Sequence, residues 1–161
     1  MILGSEIRRP PPTTLLLPLL LAVEGLSAPA LPQDLSALVG ALRQSGFKVR
    51  LEAAPRRDVY GLFETRTRTL WITPISFALG IGRQTLLHEA THAVQSCPAG
   101  LLRPIGWQLP LNPVVQREIR AITYTRYHHA NRVVEQEAFA LQGQANAVEL
   151  LLKALRQRCK R

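Results

Sequence analysis

The chain has 161 residues, enough for one domain with its own core, and a composition of 47% hydrophobic and 19% charged residues excludes a disordered tail or a fibrous repeat. The net charge of +9 favours anionic partners, such as an anionic membrane surface or an acidic partner. Its basic residues are scattered, however, with a run only at 156–161 and no repeated basic–aromatic alternation, so no specific nucleic-acid function is expected.

Residues 1–30 differ from the rest. Arg8 and Arg9 precede three prolines, an apolar stretch rich in leucine, and the small residues of Ser27-Ala28-Pro29-Ala30. The segment reads either as a secretory signal peptide, which places the remainder in the periplasm or outside the cell, or as a Pro/Leu-rich disordered arm on a cytoplasmic protein. Its apolar run is too short to span a membrane. Residues 31–161 form the expected domain.

In that domain, Leu35, Leu38, Val39 and Leu42 recur at helical spacing over 34–44, and Ser45-Gly46 ends the helix. Apolar–basic alternation over 47–51 predicts a half-buried strand. Residues 59–64 and 69–73 predict two more, joined as a hairpin through 65–68 and closed by Pro74. A helix is expected over 83–96, a Pro- and Gly-rich loop over 101–113, and helices over 114–129 and 131–156. The order helix, strands, helix, loop, helices gives an α+β domain. Two cysteines, Cys97 and Cys159, cannot form a disulfide framework, and no Cys-x-x-Cys pair is present. Cys97 reads as a small buried hydrophobe, and a bridge to Cys159 requires an exported protein.

The chemistry is expected on the helix over 83–96. It carries His88-Glu89-Ala90-Thr91-His92, an H-E-x-x-H motif. Residues four apart on a helix share a face, so the two imidazoles can hold one metal ion while Glu89 reaches a metal-bound water. On a helical wheel Leu86, Ala90, Ala93, Val94 and Cys97 take the opposite face, whereas Thr85 and Gln95 share the histidine face. A catalytic zinc takes three protein ligands and an open position. Residues 93–98 supply no third histidine, so a carboxylate is expected, from Glu135 or Glu137.

His88-Glu89-x-x-His92 followed by Glu135-x-Glu137-Ala138 resembles the gluzincin metallopeptidases, in particular small zincin-like domains with a short hairpin before the zinc helix. The resemblance implies a zincin-like fold, a short antiparallel sheet packed on the H-E-x-x-H helix, with C-terminal helices. It implies Zn²⁺ held by His88, His92 and a glutamate of a later helix. The family's apolar spacing after that ligand is reproduced from Glu135 by Ala138, Leu141 and Ala145, which favours Glu135, with Glu137 as the alternative. The resemblance departs at Phe139, where many gluzincins carry an aspartate that orients a zinc histidine; the orienting group then comes from elsewhere or is absent.

The expected function is zinc-dependent hydrolysis of peptide bonds in a peptide or protein substrate, with Glu89 as the catalytic acid–base group. The alternative is a non-catalytic, zinc-stabilised binding domain whose basic surface meets an acidic partner. Tyr127 is the candidate donor to an oxyanion, Trp71 and Trp107 are candidates to line a substrate groove, and the strand over 69–73 is the expected rail for an extended peptide.

Overall fold

The computed structural model describes residues 31–126 and 131–160. Residues 1–30, with their two readings, and Tyr127 lie outside the described residues.

The domain is α+β, with six helices and a small three-stranded sheet among the described residues. Helix α1 (Gln33–Gln44) buries Leu35, Leu38, Val39 and Leu42, the four residues whose spacing predicts it. Strands β1 (Lys48–Arg50), β2 (Gly61–Glu64) and β3 (Thr69–Ile72) follow. β2 and β3 pair antiparallel as the expected hairpin, with Leu62 opposite Trp71. The expected antiparallel sheet is nonetheless mixed: β1 lies on the far side of β3 and runs parallel to it, with Val49 opposite Leu70, giving the order β1-β3-β2. β3 is therefore the central strand. Its main chain is paired on both sides, which removes it as a peptide rail and leaves β2 at the edge.

Pro74 ends β3 by starting a short helix, α2 (Pro74–Ala78), which periodicity does not reveal in five residues. Helix α3 (Gly82–Gln95) carries the H-E-x-x-H motif. It packs against β2, β3, α2, α5 and α6, so it is buried on nearly every side rather than amphipathic, and all residues from Glu89 to Cys97 are buried. Gly82 sits under the Phe77 ring, where any Cβ would lie within 2.3 Å of a ring carbon.

After the irregular stretch 101–112 come α4 (Pro113–Arg126), α5 (Arg132–Gln142) and α6 (Ala147–Arg158). The single helix expected over 131–156 is thus two. Gly143 caps α5, and a turn through 144–146 redirects the chain before α6. The apolar stripe continues across the break because both helices bury a face in one core. Leu141 at the end of α5 and Val148 and Leu151 on α6 join Leu38, Leu70, Leu86 and Val94 there.

Cys97, just past α3, is buried as expected and is also bonded to Cys159, just past α6. The bridge ties the motif helix to the C-terminal helix across 62 residues of sequence.

Candidate metal centre

The site forms where α3 packs on α5. His88 and His92 are one turn apart on α3, and their rings meet edge to face with Nε2 atoms 3.1 Å apart. Glu135, in the first turn of α5, places Oε2 3.3 Å from His88 Nε2 and 3.5 Å from His92 Nε2. These three residues are the only group of three or more potential ligands, among the described residues, close enough to hold a metal ion. Glu135 Oε2 is buried and faces the two imidazoles.

Each imidazole is oriented from behind. The Gln95 amide donates through Nε2 to Val134 O (2.9 Å) and to Glu137 Oε2 (2.8 Å). Both partners are acceptors, so the amide oxygen must be the end facing His92 Nδ1, 2.7 Å away. Nδ1 of His92 therefore carries a proton, and in the neutral ring Nε2 presents its lone pair to His88 and Glu135. His88 Nδ1 lies 3.0 Å from Gln142 Oε1. Phe139 packs its ring against His88, centroids 4.7 Å apart. The orienting groups that Phe139 does not supply are thus two amides, Gln95 and Gln142, in place of a carboxylate.

Glu137 does not join the cluster. Its carboxylate accepts the main-chain N–H groups of Ile105 (2.7 Å), Gly106 (2.7 Å) and Trp107 (3.0 Å), besides the Gln95 amide. It anchors the 101–112 segment to α5 and holds Gln95 in place. Of the two candidate glutamates the structure brings Glu135, and not Glu137, beside the imidazoles, and the lone pairs of Glu137 are already in use.

Glu89 is buried beside the histidines and under β2. A Cβ on Gly61 would come within 2.8 Å of Glu89 Oε1 and Cγ and 2.6 Å of Thr85 Cγ2, so only glycine lets the strand approach this closely. Burial raises the Glu89 pKa above the ordinary carboxylate value, against the pull of His88 and His92 and the N–H of Phe63, while Glu135 pushes the same way as burial. Glu135 is lowered to about 2: burial opposes its ionisation, but its contacts with His88 and His92 outweigh that. His92 is raised: burial disfavours its charged form, but the contact with Glu135 and the charge of Glu89 outweigh that. Two facing ring nitrogens and two carboxylates in one buried site demand positive charge, supplied by protons or by a metal ion.

A groove of about 410 Å³ opens over this cluster, walled by Gly61, Ile81, Thr85, His88, Glu89 and Phe139. Thr73 N–H donates to Tyr60 O. By the alternation of an antiparallel pair, the main-chain groups of Gly61 and Phe63 then point to the unpaired edge of β2. Neither Trp71 nor Trp107 lines the groove; Trp107 walls a separate cavity between the 104–111 segment, α4 and α5. Gln142 was legible in principle, since Glu135, Phe139 and Gln142 form one i, i+4, i+7 row on α5. Gln95 falls on the histidine face of the wheel, but nothing in the sequence marks it as an orienting group.

Comparison with protein families, curated proteins and solved structures finds no match to this chain.

Proposed function

We propose that the protein is a zinc-dependent metallopeptidase in which His88, His92 and Glu135 hold the metal and Glu89 moves the proton. The observation that carries this reading is the spacing of the three donors, 3.1, 3.3 and 3.5 Å. Two donors each about 2.0–2.1 Å from a tetrahedral zinc stand about 3.3–3.4 Å apart. The chemistry of the set agrees, being two imidazoles and one carboxylate whose buried Oε2 faces both rings.

Bound zinc supplies a water acidic enough to be deprotonated near neutral pH and polarises the scissile carbonyl. Glu89 accepts the proton as the water attacks and then delivers it to the leaving amine; its raised proton affinity suits both halves of that task. The outward main chain of β2 can pair with an extended substrate beside Glu89. Gln95 and Gln142 keep the two Nε2 atoms turned inward. The Cys97–Cys159 bridge favours an oxidising compartment, in accord with reading residues 1–30 as a secretory signal.

The test is elemental analysis of the purified chain beside His88→Ala. About one zinc per chain, lost in the variant, is the expected result. No metal bound, even after zinc is added, would remove the basis for this mechanism. Stoichiometric zinc that stabilises the fold without peptide hydrolysis would favour a zinc-stabilised binding domain instead.

A further inference from the structure

The groove over the metal cluster has a chemical character that the charge of the whole chain does not foretell. The chain carries a net charge of +9, yet no lysine or arginine lines the groove among the described residues. Besides the Tyr60 phenol, the ionisable groups that line it are His88 of the cluster and Glu89 beside it. The walls are the Phe139 ring, Ile81 and Tyr60, with Gly61, Thr85 and the amides of Gln84 and Gln142 between them. Phe139 is held against His88, so an apolar face stands directly beside the metal ligands.

The apolar surface continues outward. Tyr60 and Ile81 are 49% and 37% exposed, and Tyr60 also shares a shallower depression with Ile75. Ile75 and Leu79, one turn apart along and just past α2, are 52% and 54% exposed. Tyr60, Ile81 and Ile75, three large apolar side chains left in water along the groove and the depression that adjoins it at Tyr60, mark a binding surface. A volume of about 410 Å³ holds a side chain as large as an aromatic ring with its backbone.

We infer that this groove selects polypeptide segments with a bulky, uncharged apolar residue, seated between Phe139 and Ile81, with further apolar residues along Tyr60 and Ile75. That the ligand is a polypeptide rests on the proposed peptidase reading; the apolar seat itself does not need the metal. A charged side chain seated between Phe139 and Ile81 loses its hydration against two apolar groups, and the only carboxylate lining the groove among the described residues, Glu89, stands at the histidine cluster rather than at that seat, which sets the selection against it.

The experiment is amide chemical-shift mapping of the full chain, metal-free and zinc-loaded, titrated with N-acetyl amides of phenylalanine, alanine, lysine and glutamate. The expected result is that the phenylalanine derivative shifts the Gly61, Ile81 and Thr85 amides. It should bind roughly tenfold or more tightly than the alanine derivative, with the charged derivatives weaker still. Ile81→Asp should abolish that preference. Ile81 is the N-cap of α3 and makes no side-chain cap bond there, and aspartate is a favoured residue at an N-cap, so the helix is expected to be retained. Equal binding of all four, preference for a charged derivative, absence of shifts at these amides, or an unaltered preference in Ile81→Asp would each overturn the inference. If elemental analysis finds no metal while the phenylalanine shifts persist, the peptidase reading fails and the apolar seat stands.

Discussion

Glu89 and Glu137 are both buried glutamates near the same helix pair, and their partners set them to different work. Glu89 is desolvated beside the histidines, with its proton affinity raised. Glu89→Gln is therefore expected to retain zinc and lose hydrolysis by about 10²–10⁴-fold, checked by metal content and turnover on the same preparation. Glu137 is fully hydrogen-bonded to the 105–107 main chain and to Gln95. On the proposed reading its effect on a bound metal is indirect, through the Gln95 amide that faces His92 Nδ1. Gln95→Leu should weaken zinc binding by roughly 10–100-fold, read by competition with a chromogenic chelator, while leaving the ligands in place. In the metal-free chain Glu135 has a folded pKa of about 2, below its ordinary 4.5. A depressed carboxylate contributes stability that is present above pH 4.5 and is lost as the pH falls toward 2. Urea unfolding of the metal-free chain and of Glu135→Gln should accordingly differ most between pH 4.5 and the raised pKa of His92, and converge at acid pH and again once the imidazole loses its proton.

At the scale of elements, the decisive contact is β2 against α3. The strand lies close enough that Gly61 has no room for a methyl group beside Thr85 and Glu89. Gly61→Ala must displace the Glu89 side chain or push the strand away. Overpacking of this kind costs about 1–3 kcal/mol of stability. Turnover should fall with zinc content unchanged, because the ligands sit on α3 and α5 rather than on β2. A variant with unaltered turnover would show that Glu89 tolerates the shift and is not held by the strand. The α5–α6 break matters for the same site. Ending α5 at Gln142 leaves Gln142 as its last residue, within reach of His88, while α6 turns away to cover the core.

For the molecule as a whole, the links between α3 and the later helices include the His88–His92–Glu135 cluster and the Cys97–Cys159 bridge. The bridge closes a 62-residue separation. By chain entropy alone it stabilises the fold by up to about 4 kcal/mol. Reduction, or replacement of both cysteines by alanine, should lower the urea midpoint accordingly. Since Glu135 lies inside that loop and His92 five residues before it, zinc should restore part of the lost stability by closing a shorter loop between the same helices.

Local pattern determined a great deal here. The periodicity of 34–44, the hairpin around 65–68 and the placement of His88, Glu89 and His92 on one helix are properties of nearby residues, and each appears in the structure. The choice between Glu135 and Glu137 could not be made from the wheel, since both flank the buried stripe. Only tertiary packing decides it, because that choice depends on what each carboxylate meets: two imidazoles in one case, three main-chain N–H groups of a distant loop in the other. The parallel pairing of β1 with β3, the burial of α3 on nearly every side and the Cys97–Cys159 bridge are likewise contacts between remote segments. A sequence records which side chains can share a face of their own element, but the partner of that face is chosen by how the whole chain closes over its core.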